Sequence, residues 1–318
     1  MSVKISIVMT SFNGESYIEQ QLDSILSQTR KPDEVIIRDD QSTDRTVDII
    51  EGFIVGHNLS SWRLIRNEKN LGWWLNFYEA SKIASGDIIF FGDQDDIWHP
   101  DKIETMERLM IENKMGALYT AKNIIDGEGI FHLERMDKKS FTKKMIKIPL
   151  SENFYSIKTL GCCMCVSREV LNTYISLNYP AGGHDSQCGR IALLYSSLWY
   201  LDKPLIDYRI HNNNTSGISV HYSYGASRLD KRIKEVKSSL ELIGKLQESQ
   251  RESSIDLKEV ENALKKRLAY LEGKDIYFLQ LIKLKKFYSG ITMLVGDFAY
   301  RHKLNTVLGK IRWSLRRR

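Results

Sequence analysis

The sequence predicts an α/β protein with a mixed, mostly parallel sheet flanked by helices, because apolar runs of strand length alternate with segments of helical periodicity. The first run, "VKISIVM" (residues 3–9), is apolar on both faces, as in a strand buried on both sides. A helix is predicted next, since apolar residues recur at Ile18, Leu22 and Ile25. With 318 residues, the chain can bury a substantial core.

The same alternation runs to residue 93 and returns in the second half of the chain. Further strands are predicted at "EVIIRDD" (34–40), "WRLIRN" (62–67), "GDIIFFGD" (86–93) and "LWYLDKPLIDYRIH" (198–211). Helices are predicted at "STDRTVDIIEGFI" (42–54) and "LGWWLNFYEASKIAS" (71–85), and a strand followed by a helix at 154–171. Trp73 and Trp74 are interpreted as packing residues, and the basic segment 134–149 as a loop or lid.

The C-terminal third predicts a helical extension. From Ser227 two stripes of apolar residues recur at helical spacing and are separated by "SQRESS" (249–254), which predicts a helical hairpin. We therefore expect a catalytic or binding domain over residues 1–220 and a helical, basic region over 221–318. The last part is strongly cationic, with eleven Lys or Arg and two Asp from Lys274 to Arg318.

Polar clusters follow the ends of the predicted strands. They lie at Thr10–Asn13, at Asp39 and Asp40, at Asn67–Gly72 and at Asp93–Asp96. Since ligands bind at the carboxyl ends of strands in open α/β sheets, these clusters predict one ligand site. Carboxylates suit a hard cation such as Mg²⁺ or Mn²⁺. The chain has no G-x-G-x-x-G and no P-loop motif, which argues against a dinucleotide oxidoreductase or a P-loop NTPase.

Several motifs in order resemble those of family 2 glycosyltransferases. They are "SIVMTSFNGESYIEQQLDSILSQT", "VIIRDDQSTDRT", "NLGWWLNF", "GDIIFFGDQDDIWHPDKI", "GHDSQ" and "YRIHNNNTSG", which together span about residues 3–217. The resemblance implies the GT-A (Rossmann-like) fold. The "DQDDIW" form is similar to bacterial rhamnosyltransferases of surface-polysaccharide biosynthesis.

The resemblance also implies roles for individual residues. Asp185 in "GHDSQ" occupies the position of the catalytic base. Asp95 in the D-x-D signature and His211 are expected to bind Mg²⁺ or Mn²⁺. The residues expected to bind the nucleotide sugar are Thr10, Phe12, Asn13, Glu15, Asp39, Asn70, Gly72, Asn76, Asp93, Gln94 and Arg209.

The expected activity is transfer of a sugar from a nucleoside diphosphate, with inversion at the anomeric carbon. dTDP-rhamnose is the favoured donor, and UDP-glucose or UDP-galactose are alternatives. Two other classes stay open from the residues alone. One is a glycoside hydrolase using paired carboxylates such as Asp93 and Asp185, and the other is a non-enzymatic nucleotide-sugar-binding scaffold.

The expected partners are a nucleotide sugar, a glycan or lipid-linked glycan acceptor and an anionic membrane surface. The tail interleaves aromatic and basic residues, a pattern typical of segments that lie on anionic lipid. No nucleic-acid-binding signature is present, and a homo-oligomer is an open possibility. Without a signal peptide or an apolar run of spanning length, the sequence predicts a cytoplasmic protein peripheral to the plasma membrane.

Overall fold

A computed structural model describes residues 3–132, 140–151, 159–177, 183–211, 227–248, 255–274, 278–287, 294, 297 and 298. The chain divides into two compact units. The first comprises residues 1–149 and 158–218, and the second comprises residues 150–157 and 219–318.

Among its described residues, the first unit is built on one nine-stranded sheet. Its strands are β1 (Ile5–Ser11), β2 (Glu34–Asp39), β3 (Trp62–Arg66), β4 (Ile88–Gly92), β5 (Ile97–Trp98), β6 (Ala117–Asp126), β7 (Met145–Lys147), β8 (Met164–Ser167) and β9 (Leu198–Ile210). The spatial order is β3-β2-β1-β4-β8-β6-β9-β5, and β7 also pairs with β9. Its helices are α1 (Ile18–Leu26), α2 (Thr46–Gly56), α3 (Trp73–Ser81), α4 (Lys102–Glu112), α5 (Arg168–Ser176) and α6 (His184–Leu194).

Strand β1 lies at the centre of a parallel block. It pairs in parallel with β2 and with β4, and β3 pairs in parallel with β2. Ile5, Ile7, Val8 and Met9 of β1 are all fully buried, which explains why this run is apolar on both faces. The carboxyl ends of β1, β2 and β4 therefore come together at one edge of the sheet.

The remaining strands make the sheet mixed. β8 lies between β4 and β6 and is antiparallel to both, whereas β6 and β9 run parallel. β5 and β7 pair with β9 in antiparallel fashion. The predicted α/β class and mixed, mostly parallel sheet are confirmed, but β5, β6 and β7 were not predicted. The burial of β6 does not alternate with period two, so its sequence lacks the usual strand signal.

Part of the basic segment predicted as a loop or lid is attached to the sheet. β7 is the described strand within it, and Thr142 donates to Asp202 Oδ2 from both its N–H (3.0 Å) and its hydroxyl (2.7 Å). Residues 133–139 lie outside the described part of the chain. Met145–Lys147 therefore adds a short strand beside β9.

The second unit is helical where it is described. It contains α7 (Ser227–Glu248), α8 (Leu257–Leu271) and the short α9 (Phe278–Ile282). α7 contacts α8, and the predicted apolar stripes supply buried residues such as Val236 and Ile243 on α7 and Val260 and Leu264 on α8. The predicted connection at 249–254 and most of the basic tail lie outside the described residues. No helix in the described part is long and apolar enough to cross a membrane.

Candidate active site

A cleft of about 1070 Å³ opens at the edge where β1, β2 and β4 end. It lies within the first unit. Most of the residues predicted for the site line it, namely Thr10, Phe12, Asn13, Asn70, Gly72, Asn76, Asp93, Gln94, Asp95, Asp185 and His211. Glu15, Asp39 and Arg209 are not among the lining residues. Tertiary structure thus brings together side chains separated by up to 201 positions in the chain.

The loop after β1 is held by side-chain amides. The Gln94 side chain accepts from the Phe12 N–H at 2.8 Å and donates to the Phe12 carbonyl at 2.9 Å. Gly14 lies against the same amide, since a Cβ on it would be 2.3 Å from Gln94 Oε1. Asn13 adopts φ 47°, and its Oδ1 accepts from the Thr43 N–H at 2.9 Å. The first loop and the D-x-D segment therefore form one fixed wall of the cleft.

Of the two neighbouring aspartates after β2, Asp40 lines the cleft and Asp39 does not. Asp39 is fully buried and accepts from the Ser11 and Ser42 hydroxyls. It therefore links the end of β1 to the loop that follows β2. Asp40 accepts from the N–H groups of Leu71 (2.7 Å) and Gly72 (2.8 Å). Asp40 directly follows the end of β2 at Asp39. A polar residue just after a strand was the sequence signal that could have identified Asp40 as a cleft residue.

The segment before α3 is organised around Asp40. Gly72 has φ 79°, a conformation that suits glycine, and Asn70 donates to the Asp40 carbonyl at 3.0 Å. Asn76 is almost fully buried, donates to the Arg38 carbonyl at 2.9 Å and accepts from Asn67 at 2.9 Å. The predicted residues of this segment therefore lie at the cleft, and their side chains also hold the backbone beside it.

Two predicted nucleotide-binding residues make contacts elsewhere. Glu15 is exposed and accepts from the Arg45 N–H at 3.0 Å, which links the first loop to the start of α2. Arg209 is buried beneath the D-x-D segment. Its Nε donates to the Asp95 carbonyl at 2.8 Å and its main-chain N–H donates to Asp96 Oδ1 at 3.0 Å.

Arg209 also reaches the turn that follows β6. Its guanidinium donates to the carbonyl oxygens of Asp126 (3.2 Å) and Gly127 (3.3 Å) and to Gln20 Oε1 (2.7 Å). The same group lies 4.7 Å from the centre of the Tyr17 ring. Arg209 therefore links the segment at Asp95, the turn at Asp126 and Gly127, and Gln20 of α1.

Carboxylates are concentrated on the β4 side of the cleft. Burial, together with the charges of Asp95 and Asp185, raises the pKa of Asp93 to about 7. Asp96 is fully buried, and burial followed by the charges of Asp95 and Asp93 raises its pKa well above the usual range. This concentration of negative charge favours a bound cation.

The residues predicted to bind a metal fit that role in geometry and chemistry. Asp95 Oδ2 and His211 Nε2 are 2.8 Å apart, and both side chains line the cleft. Carboxylate oxygen and imidazole nitrogen are ordinary ligands of Mn²⁺ and related divalent ions. Asp93, Asp96 and Cys162 also place ligand atoms within 4.8 Å of one another. However, sulfur is a soft ligand, and Mg²⁺ and Mn²⁺ prefer oxygen, so Cys162 suits these ions poorly.

Asp185, the predicted base, stands in the first turn of α6. Burial raises its pKa to about 6, while the Ser186 N–H (2.7 Å) and the charge of Arg190 act in the opposite direction. Gly183 precedes the helix at φ 77°, and a Cβ there would lie 2.7 Å from Asp185 Oδ1. The backbone before α6 thus leaves space for this carboxylate at the cleft.

His184 beside it is a neutral, buried part of the cleft wall. Its ring packs against both Phe77 and Phe91, with centroid distances of 4.0 and 4.4 Å. Burial lowers its pKa to about 3, and among the described residues neither ring nitrogen has a hydrogen-bond partner. Because its ring is uncharged, His184 does not supply a positive charge beside the Asp185 carboxylate.

Several residues that line the cleft were not predicted from the sequence. Tyr17 and Glu128 line the cleft, as does Trp73, which was interpreted as packing but is 45% exposed. Tyr17 stacks on His211 with ring centroids 4.8 Å apart. Tyr17 precedes α1 and is not part of its apolar stripe. An aromatic residue at such a loop position was the sequence signal that could have identified it as a site residue.

Comparisons with known proteins identify the family of the chain. The sequence model of "Glycosyl transferase family 2" matches residues 6–174. The dTDP-rhamnosyl transferase RfbG of Shigella flexneri is 30% identical over 70% of this chain and 78% of its own length. The UDP-Glc:alpha-D-GlcNAc-diphosphoundecaprenol beta-1,3-glucosyltransferase WfgD of Escherichia coli is 32% identical over 45% of this chain and 55% of its own.

Among solved structures, S. aureus TarS 1-349 in complex with UDP-GlcNAc superposes with a TM-score of 0.61 at 18% identity, covering 94% of this chain and 81% of that one. At this identity the likeness concerns the fold. The chain belongs to glycosyl transferase family 2, has the GT-A fold and is a glycosyltransferase. The family assignment decides against the glycoside hydrolase and the non-enzymatic scaffold.

Proposed function

We propose that this glycosyltransferase inverts the anomeric centre of a sugar that it moves from a nucleoside diphosphate to a hydroxyl group of a growing surface polysaccharide. The observation that carries the proposal is the placement of Asp185 in the same cleft as Asp93 and Asp95. A carboxylate whose pKa is about 6 is a suitable general base near neutral pH.

In the proposed reaction, the Asp185 carboxylate accepts the proton of the acceptor hydroxyl. The hydroxyl oxygen attacks the anomeric carbon, and the bond from that carbon to the diphosphate oxygen breaks, so that the nucleoside diphosphate leaves with the electron pair. A single displacement inverts the anomeric configuration. One base on the acceptor side is enough for this chemistry, and Asp185 is our candidate.

Asp95 and His211, with Asp93 beside them, would hold Mg²⁺ or Mn²⁺. When bound, the cation would neutralise the charge of the diphosphate. Arg209 supports Asp95 from below through its carbonyl and so serves to position this ligand. The nucleotide would lie against the first loop, with Thr10, Phe12 and Asn13, and against Asp40 and Gly72. The role of Asp39 and Glu15 as direct nucleotide ligands stays a prediction.

For the donor we favour dTDP-rhamnose. The name of RfbG supports this choice, because RfbG matches 70% of this chain. UDP-glucose is the main alternative and is supported by WfgD over a shorter region. Donor choice depends on contacts around the sugar, which differ among proteins of one fold.

The experiment that tests the proposal is a product assay with a panel of dTDP- and UDP-sugars, with Mg²⁺, Mn²⁺ or EDTA. Asp185→Asn is expected to lose transfer by about 10²–10⁴-fold while still binding nucleotide. Asp95→Ala is expected to lose the metal response. Full activity of Asp185→Asn would show that Asp185 is not the base. Undiminished turnover in EDTA would show that the reaction does not need a metal.

We also propose that the acceptor is lipid-linked and that the basic C-terminal region meets an anionic membrane surface. Support comes from the charge of residues 274–318 and from the diphosphoundecaprenol acceptor in the name of WfgD. Binding of the full-length protein to anionic liposomes, its loss in high salt and its absence with neutral liposomes are expected. Equal binding to neutral liposomes would contradict the electrostatic part.

A further inference from the structure

A second pocket, of about 270 Å³, lies in the first unit beside the cleft. We name it the tyrosine pocket. Its walls come from β6, β9 and the chain on either side of Leu160, and include Tyr119, Thr120, Phe141, Leu160 and Tyr200. The proposed reaction assigns no role to this pocket.

Two tyrosine rings form a fixed aromatic platform in the pocket. Tyr119 and Tyr200 are register partners on β6 and β9, and their ring centroids are 4.9 Å apart at 38°. The Tyr200 hydroxyl donates to Asp202 Oδ1 at 3.1 Å, and Thr142 holds the other oxygen of that carboxylate at 2.7 Å. The rings are therefore held in place before any ligand arrives.

Thr120, one of the residues that line the pocket, lies on β6 and is 4% exposed. The ladder between β6 and β9 also shifts register at Thr120–Ala121, a kind of irregularity found beside ligand sites.

The tyrosine pocket is connected to the catalytic cleft through a short stretch of chain. Leu160 lines both cavities. Thr159 lines the tyrosine pocket, and its hydroxyl donates to the carbonyl of Asp185 at 2.7 Å. A chain-like ligand whose end reacts at Asp185 could therefore pass over Leu160 into the tyrosine pocket.

We propose that the tyrosine pocket binds a sugar ring of the acceptor glycan, one unit behind the sugar whose hydroxyl reacts at Asp185. A pyranose has an apolar face of C–H groups, which the aromatic rings would cover. The volume lies just below the 300–1,000 Å³ typical of pockets for larger ligands, as suits a single sugar ring. This inference rests on the proposed function.

The test compares disaccharides with the monosaccharides of their reacting ends. Binding to the nucleotide-loaded, full-length protein is measured by saturation-transfer difference NMR, using rhamnose-, glucose- and N-acetylglucosamine-ended pairs. At least one disaccharide is expected to bind about tenfold more tightly than its monosaccharide. Tyr200→Ala is expected to remove that advantage, whereas Tyr200→Phe, which keeps the ring, retains it.

Nucleotide binding is the control for folding, because Tyr200 does not line the catalytic cleft. The inference is overturned if no disaccharide exceeds its monosaccharide, or if Tyr200→Ala keeps the advantage while binding nucleotide normally. This readout needs no turnover. Absence of transfer from every donor would contradict the proposed function, while the binding comparison would still decide the role of the pocket.

Discussion

The protonation of Asp185 is governed by where the fold places its carboxylate. Burial raises its pKa to about 6, and the base must be ionised to accept a proton. We therefore expect kcat to rise with pH, to be half-maximal near pH 6 and to level off above it. Below pH 6 the rate should fall about tenfold per pH unit. A steady-state pH profile of transfer measures this midpoint.

Substitution of Arg190 tests whether Asp185 is the group that titrates in the pH profile. Its positive charge lowers the pKa of Asp185, so Arg190→Gln should move the midpoint to higher pH. A profile whose midpoint stays in place in Arg190→Gln, in a variant that still binds nucleotide, would mean that another group titrates.

Arg209 is expected to act on the cation site through the backbone. Lysine keeps the charge but loses the planar set of donors that reaches Asp95, Asp126 and Gly127 together. Arg209→Lys should raise the Mn²⁺ concentration needed for half-maximal activity by about 10–100-fold. Titration of activity with Mn²⁺ is the measurement.

The matched control is Arg108→Lys, because Arg108 forms an exposed pair with Glu112 far from these contacts. It should leave the Mn²⁺ dependence unchanged. If Arg209→Lys has an unaltered Mn²⁺ titration but a higher donor KM, then Arg209 acts on the nucleotide, as the sequence suggested.

Among single residues, most of those that the sequence singled out do line the cleft, but the sequence did not give the orientation of each side chain. It named Asp93, Asp95 and Asp185, which do meet in the cleft. It singled out Asp39 as a nucleotide ligand, which stays a prediction, and the structure brings the neighbouring Asp40 to the cleft, because adjacent residues at a strand end face different surroundings.

At the level of elements, the start of α6 depends on glycine. Gly183 has φ 77° and ψ 145°, a region that other residues adopt at a cost of about 1–3 kcal/mol, and a Cβ would meet Asp185 Oδ1. Gly183→Ala is expected to lower kcat strongly by displacing the base and to destabilise the protein. Transfer kinetics and chemical denaturation measure the two effects.

Gly52→Ala is the control for that substitution. Gly52 is exposed within α2, and a Cβ there would meet nothing within 4 Å. Alanine should stabilise this helix by about 0.5–1 kcal/mol and leave transfer unchanged. Equal kinetics for the two alanine variants would show that Gly183 does not position Asp185.

Elements with a regular apolar period were predictable, whereas the inserted strands were not. β1, β2 and β4 carry strand patterns, because both faces of each strand are buried and the sequence is a continuous apolar run. β6 is long, yet polar residues such as Lys122 and Asn123 interrupt its pattern. β5 has two residues and exists through its pairing with β9.

At the scale of the whole molecule, the second unit has its own buried charge network. Asp297 is fully buried and pairs with Arg267 (Nε to Oδ2, 2.6 Å) and with Arg232. Asp297→Asn should leave buried cationic charge uncompensated and cost about 3–5 kcal/mol of the free energy of unfolding. Denaturant unfolding followed by circular dichroism measures this loss.

Glu259→Gln is the control, since its pair with Lys286 is about half exposed. It should change the free energy of unfolding by about 1 kcal/mol or less. A similarly small change for Asp297→Asn would mean that the network contributes little to the stability of this unit.

By itself the sequence determined the α/β class, the family motifs and the residue types available for the chemistry. The apolar period of each strand or helix can be read from the sequence, because each element must cover its own apolar face. Tertiary structure alone decided the insertion of β8 between β4 and β6, the position of Asp40 at the cleft, and the placement of Arg209 beneath Asp95. These depend on contacts between residues far apart in the chain, and the raised pKa of Asp185 arises from the burial that such contacts create.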